Sequence, residues 1–263
     1  LASAGIPLTW SDGQSSCYLL HNQAVDSLTD EELRELFSGG VLTDAQTAAK
    51  LNRRGLGDIL KIETEEFSVL NGIDLLTDHR INGPYAGQSW YHYYTVRNPY
   101  PPLKLRVNNP EAEITGLYVL RNRETEIQGI SSVITETCSG GRAAVLGYNP
   151  WTNLMNSGKR HQILRTADWL SRNTMPVFLE TPCQAAVIPR VDQDGMLVSV
   201  LLLNASIDRS PELKLHLRNV KNRKIRWITP EGGTSDIQAE DSAGYDLSVT
   251  PGSLGPWSIG VIL

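Results

Sequence analysis

The side chains able to act as nucleophiles, bases or metal ligands are three cysteines, five histidines and 29 carboxylates. Acyl transfer on an α/β scaffold needs a Ser or Cys on a glycine-flanked turn between a strand and a helix. The candidate junction reads Leu42-Thr43-Asp44-Ala45, with neither the nucleophile nor the glycines. Cys138, in Thr137-Cys138-Ser139-Gly140, leads into a strand rather than a helix, so it reads as a hairpin-edge residue. Cys17 opens an apolar strand, where a thiol packs as a small hydrophobe. With Cys183, these cysteines match no CxxC spacing and allow at most one disulfide; they read as free, mostly buried thiols. None of His21, His79, His92, His161 and His216 pairs with another at metal-ligand spacing, so no metal site is expected. No Gly-x-Gly-x-x-Gly or phosphate loop follows a strand, so no nucleotide cofactor is expected.

Glycoside hydrolysis uses two positioned carboxylates. Most acids here stand in helix first turns or hairpin turns, where they have structural reasons to be, and no pair is marked out. No catalytic residue is therefore assigned. His21-Asn22-Gln23 follows a strand, the end at which open α/β sheets bind ligands, but a polar strand end is its default role. Asn204-Ala205-Ser206 is a glycosylation sequon by pattern alone. The most unusual stretch is Gln88-Ser89-Trp90-Tyr91-His92-Tyr93-Tyr94. Strand alternation places Trp90, His92 and Tyr94 on one face and Tyr91 and Tyr93 on the other. Such aromatics suit a sheet core, a subunit interface or sugar stacking alike. Trp90, Tyr91, His92, Tyr93 and Tyr94 are the candidate interface or sugar-contact residues.

These side chains must be positioned by the elements around them. Leu1 to Ala4 reads as the tail of a helix that Gly5 ends, as in a segment cut from a longer polypeptide. Ile6 to Trp10 and Cys17 to Leu20 read as strands, the second buried. Thr29-x-x-Glu32 is a capping box opening a helix with Leu33, Leu36 and Phe37 on its apolar face. Val41 to Thr43 reads as a strand, and Asp44 caps a helix over 45–54. Strand alternating with helix over residues 1–60 predicts a parallel sheet covered by helices. Residues 67–110 carry Gly, Asn, Pro and aromatics without helical period. A hairpin turn at Ser139-Gly140-Gly141 and a helix over 159–171 follow. Beyond Pro176 the pattern is strand and turn throughout, which predicts a small antiparallel sandwich.

Composition sets outer limits. At 40% hydrophobic and 20% charged, the chain is globular rather than disordered. Its net charge of −5 argues against nucleic acid as partner. The compact basic cluster Arg218, Lys221, Arg223, Lys224 and Arg226 alternates with apolar residues, as a solvated strand and turn would. No apolar run approaches the roughly 18 residues of a membrane helix, and the first residues have no leader-like pattern. A soluble protein without a membrane partner is expected, its compartment open.

Four segments together carry a resemblance. They are Leu33-x-x-Leu36-Phe37-Ser38-Gly39-Gly40-Val41-Leu42-Thr43-Asp44, then Arg54-Gly55-Leu56-Gly57. Gly141-Arg142-Ala143-Ala144-Val145-Leu146-Gly147-Tyr148-Asn149-Pro150-Trp151, with the 159–171 helix, is the third, and Pro189-Arg190-Val191 leading to Leu201-Leu202-Leu203-Asn204 the fourth. In this order the chain resembles the region that follows the catalytic barrel in bacterial β-galactosidase-like glycoside hydrolases, including family 42. The resemblance implies an α/β fold over 1–176, a flavodoxin-like and class I amidotransferase-like parallel sheet with an insertion around 67–110. A small antiparallel β-sandwich over 177–263 would close the chain. Active amidotransferases hold a Cys where Thr43-Asp44-Ala45 stands, so that activity is not implied, and the family's catalytic glutamates lie in the barrel. The implied role is non-catalytic: oligomerisation, as a homo-oligomer, and support of a catalytic barrel in the same parent polypeptide. A carbohydrate-binding module, or a stand-alone hydrolase using unidentified carboxylates, are the alternatives.

Overall fold

The structure is a computed structural model that describes residues 1–8, 15–66, 73–91, 101–120, 123–151 and 154–263. It divides into two compact units, one of residues 15–173 and one of residues 1–14 with 174–263.

In the first unit the chain runs β1 (Cys17–Leu20), α1 (Asp30–Leu36), β2 (Gly40–Asp44), α2 (Ala45–Arg53), β3 (Ile62–Glu66), β4 (Ile73–Leu76), β5 (Ser89–Tyr91), β6 (Leu103–Val107), β7 (Glu113–Leu120), β8 (Arg123–Glu136), β9 (Arg142–Leu146) and α3 (Ser157–Leu170). The capping box forms as its sequence demands. Thr29 N–H donates to Glu32 Oε2 (2.7 Å), and Glu32 N–H donates to Thr29 Oγ1 (3.2 Å). Asp44 Oδ1 accepts the Thr47 N–H at 2.8 Å and starts α2. Leu33, Phe37, Ala48 and Leu51 then bury their apolar faces with Val41, Val133 and Val145 of the sheet.

The sheet is not the parallel, helix-covered one expected. Among the described residues strand accounts for 41% and helix for 18%. The path β1-β2-β9-β8-β7-β4-β5 is parallel only across β1, β2 and β9, and β3 pairs with β6, which touches β8. The flavodoxin-like, amidotransferase-like reading is therefore corrected to a curled mixed sheet. The reason is connection length. Parallel neighbours need a crossover of a dozen or more residues, usually a helix. The links β7–β8 and β8–β9 are far shorter, so those strands return as antiparallel neighbours. Helical period is confined to the segments of α1, α2 and α3, and residues 1–60 were a poor sample of the whole. β1 departs in another way. As the edge of the path it leaves Tyr18 37% and Leu19 41% exposed, where a buried strand was expected.

The second unit holds β10 (Val177–Leu179), β11 (Ala185–Val191), β12 (Leu197–Asn204), β13 (Leu213–Leu217), β14 (Ile225–Ile228), β15 (Thr234–Ile237), β16 (Ala239–Ser242), β17 (Tyr245–Gly252) and β18 (Ile259–Ile262). They form two antiparallel sheets, β10-β13-β17-β16 and β11-β12-β18-β14-β15. Alternate residues from both sheets, among them Val187, Val200, Leu202, Leu215, Leu247 and Val249, share one core. The Asp192–Gly195 turn is closed by Asp192 Oδ1, which accepts the N–H of Asp194 (3.0 Å) and of Met196 (2.9 Å). At the other end of the chain, the 3-10 turn Ala2–Ala4 stops at Gly5, whose φ is 85°.

Gly260 lets β18 pass directly against Trp227, and a Cβ there would land inside the indole ring. Gly260→Ala should destabilise this unit by about 1–3 kcal/mol through overpacking. Gly255→Ala, whose Cβ would meet only Ser258 Oγ at an ordinary contact distance of 3.6 Å, should change stability by no more than about 0.5 kcal/mol. Thermal unfolding of the two variants beside the parent chain checks the contrast.

Candidate functional site

The aromatic stretch divides. Trp90 and Tyr91 lie in β5, opposite Asp74 and Ile73 of β4, while His92, Tyr93 and Tyr94 lie outside the described residues. Trp90 is turned inward. Its indole Nε1 is buried without a hydrogen-bond partner among the described residues. A Cβ on Gly158, at the start of α3, would stand 2.5 Å from that nitrogen. The Tyr85 ring is 6.4 Å away and tilted. Trp90 therefore seats the first turn of α3.

On the strand opposite Trp90 and at the start of α3 the structure assembles a cluster that the sequence did not announce. The Lys159 ammonium and the Asp74 carboxylate are 1% and 0% exposed and lie 2.6 Å apart. The ammonium also donates to Gln162 Oε1 (2.6 Å), and its third direction faces the Tyr148 ring, 4.7 Å to the centroid. Tyr148 donates its hydroxyl to Asp74 Oδ2 (2.8 Å), and Ser131 donates to Asp74 Oδ1. Gln162 Nε2 donates to Asn82 Oδ1 (2.9 Å), and Asn82 Nδ2 donates to the carbonyls of Thr77 (2.8 Å) and Thr115 (2.9 Å). Gly116 makes room for this. A Cβ there would meet Ser131 and Ser132 Oγ at 2.6 and 2.5 Å and Asp74 Oδ1 at 3.0 Å. The register between β7 and β8 shifts on either side of Gly116; Ser131 faces Asp74, while Ser132 Oγ accepts the Thr115 hydroxyl (2.9 Å).

Burial pushes the Lys159 pKa below the usual lysine range, and the Asp74 charge and hydrogen bond pull it back in part. A buried lysine of lowered pKa beside a carboxylate and a phenol is, by type, the equipment of a base or an imine-forming amine. Its geometry is that of a lock. All three ammonium directions are occupied, and the pair has no exposed surface by which a substrate would reach it. The signal in the sequence was weak: α3 mixes Lys159, Arg160, His161, Gln162 and Asp168 with its apolar residues and leaves no clean polar face.

The other candidates resolve individually. Thr43 donates to the Leu20 carbonyl (2.7 Å) inside the sheet and is buried. Cys138 is exposed at the β8–β9 turn, and burial pushes the Cys17 thiol up, away from reactivity. His21 stands beyond β1, 3.9 Å from the buried Asp44 and 5.7 Å from the Trp151 ring. Asn204 is 1% exposed and its Nδ2 donates to the carbonyls of Asp208, Leu254 and Gly255, so the sequon is closed to glycosylation in the folded state. In the basic cluster Arg223 pairs with Asp241, Lys224 with Asp236 (3.5 Å), and Arg218 lies over the Tyr245 ring at 3.9 Å. Among the described residues no helix is long and apolar enough to cross a membrane, and no group of three potential metal ligands forms.

No family model matches this sequence, and no curated protein matches it. Among solved structures, the α-L-fucosidase isoenzyme 2 from Paenibacillus thiaminolyticus superposes with a TM-score of 0.61 at 12% identity, over 96% of this chain and 41% of that one. This chain is similar in fold to part of a glycoside hydrolase. It spans 41% of the fucosidase's length, and at this identity the likeness is one of fold. A cytoplasmic protein from Salmonella typhimurium LT2 aligns over 60% of this chain and 70% of its own, at 12% identity with a TM-score of 0.36, too loose a superposition to argue from.

Removing Asp74 leaves a buried ammonium without its counter-charge. Asp74→Ala should destabilise the first unit by about 3–5 kcal/mol, while the paired replacement Asp74→Leu with Lys159→Met should recover part of that loss, the remainder being the Tyr148 and Ser131 hydroxyls left without their acceptor. The folded-state pKa of Lys159 lies below its unfolded value. Between the two, the unfolded chain binds more protons, so this group's contribution to stability rises with pH toward the ordinary lysine range near about 10.4. Urea midpoints at about pH 7 and pH 10 should show that rise in the parent chain, and less of it in the double variant.

Proposed function

We propose that this chain is a non-catalytic part of a larger glycoside hydrolase, following a catalytic barrel and serving oligomerisation and support of that barrel. The observation that carries the reading is the extent of the fold likeness, which takes in nearly all of this chain and less than half of the fucosidase. The closed Lys159–Asp74 cluster supports it, since it ties sheet to helix and offers no access to a substrate. In this reading the order of segments 33–44, 54–57, 141–171 and 189–204 reflects the same relationship, and the parent's substrate is an α-L-fucoside or a β-galactoside. Trp90 gives the carbohydrate-binding alternative no support, because its ring packs against Gly158.

The purified chain should turn over neither 4-nitrophenyl α-L-fucoside nor 4-nitrophenyl β-D-galactoside. The native gene product should have a mass well above 29.0 kDa, hydrolyse one of the two, and lose its assembly by light scattering when residues 1–263 are deleted. A native product of about this chain's mass, or a deletion that keeps both assembly and turnover, overturns the proposal.

A further inference from the structure

An apolar space opens at one end of the second unit, where β12 and β14 begin and β13 and β18 finish. Leu197, Val200, Leu217, Val220, Ile225 and Ile262 line a cleft there of about 560 Å³. That falls within the roughly 300–1,000 Å³ of small-molecule sites. Five of these residues are buried members of the sandwich core, and Val220 packs against it. They come from both sheets and from the loop between β13 and β14. The cleft therefore leads into the core between the sheets and does not lie on the outer face of either.

Two local irregularities shape it. The register of β11 against β12 slips where Arg190 pairs with Ser199 and Val191 with Leu197, so Val198 is the extra residue of a bulge. Leu197 and Val200 stand three positions apart and are both buried, while Val198, also in the lining, is 54% exposed. The second irregularity is the loop after β13. Asn219 is left-handed, φ 56°, and its carbonyl accepts the Leu197 N–H at 2.8 Å. Val220 makes a parallel bridge to Leu197, and its N–H donates to Asp246 Oδ2 at 3.0 Å. The loop wall is thus tied to β12 and to β17, and the cleft is formed before any ligand arrives.

The charged residues of the lining narrow the ligand, because each is already committed. Lys221 Nζ lies 3.9 Å from Asp192 Oδ2, and Lys224 Nζ lies 3.5 Å from Asp236 Oδ2. The other Asp192 oxygen accepts two backbone N–H groups of its own turn. Two cations and two carboxylates cancel, so the lining offers a ligand no uncompensated charge. What the fold leaves unsatisfied is aliphatic surface, and covering it displaces only water. An apolar cavity of ~150 Å³ already accommodates benzene, so this larger space has room for two rings or an alkyl chain. We infer that this cleft binds an uncharged hydrophobic molecule, a two-ring aromatic or a medium-length alkyl chain. The inference is independent of the accessory role proposed above and is tested on the chain alone.

Fluorescence titration of the full chain with N-phenyl-1-naphthylamine, a neutral two-ring probe, is the experiment. The probe should bind saturably, one molecule per chain. 1-Octanol should displace it at least about tenfold more effectively than octanoate, because the carboxylate must give up hydration without gaining a free cation. Val220→Trp fills the cleft from its loop wall and should abolish binding with the fold kept by circular dichroism. Val198 is exposed, so Val198→Asp should also keep the fold while weakening binding at least about tenfold through an unpaired charge in the lining. If the tryptophan variant does not fold, the aspartate variant decides. The inference is overturned if the probe does not bind saturably, if octanoate displaces it as well as 1-octanol, or if a folded variant of either kind binds it unchanged. None of these outcomes bears on assembly or turnover of the parent enzyme, so failure here and failure of the accessory role remain distinguishable.

Discussion

An ammonium and a carboxylate held out of water beneath one helix are the constraint on which the first unit depends. Burying two charges costs several kcal/mol each, recovered only when their geometry and all remaining hydrogen bonds are satisfied. Lys159 and Asp74 meet that condition with side chains from β4, β8, α3 and the segment after β9. Each of those elements is thereby placed relative to the others. The Gln162–Asn82 bond extends the same network to the 80–85 turn and to the Thr115 carbonyl in β7. A partly satisfied network of this kind would be worse than an apolar core, so the glycines and register shifts that complete it are part of the same requirement. Gly116 opens space for Ser131 and Ser132, and Gly147 lets the chain pass Tyr118 and Leu103 before Tyr148 turns inward.

This requirement explains the composition of α3. A surface helix shows one apolar stripe and one polar face. Here nearly every residue from Gly158 to Leu170 is buried, and the polar ones are divided by purpose. Lys159 and Gln162 point to the ion-pair network, while His161, Arg165 and Asp168 line a cleft beside the 80–85 turn. Arg142 closes the helix at its other end, donating to the Trp169 carbonyl (2.7 Å) with its guanidinium 4.9 Å from the Trp169 ring. The helix is thus fixed to the sheet at both ends by charged groups.

The second unit depends on nothing comparable. Its two sheets are joined by alternating aliphatic residues, with hairpin turns drawn from Asp and Gly. Buried polar contacts serve its edges. Asn204 ties the loop after β12 to the strap before β18, and His216 bridges Glu180 (2.6 Å) and Ser242 (2.7 Å) across three strands. Burial alone would raise the Glu180 carboxyl, but the His216 and Lys214 partners hold it below the usual carboxylate range.

Local chemistry decided what was legible beforehand. The Thr29–Glu32 box, the Asp44 cap, the Gly5 stop and the 139–141 turn are interactions among residues a few positions apart, and each formed as its spacing required. The antiparallel second unit was legible for the same reason, since period-two alternation and turn residues suffice to specify it. The sheet order of the first unit was not. Alternation of strand and helix over residues 1–60 pointed to a parallel sheet, but direction is set by how each strand's partner is reached, and later hairpins overrode it. The Lys159–Asp74 pair lies 85 positions apart. Nothing in the spacing of such residues distinguishes them from solvated surface charges. Sequence by itself determined the caps, turns and apolar faces; tertiary structure alone decided which charges were taken out of water together, because the energy that selects those pairs exists only once the low-dielectric interior has formed.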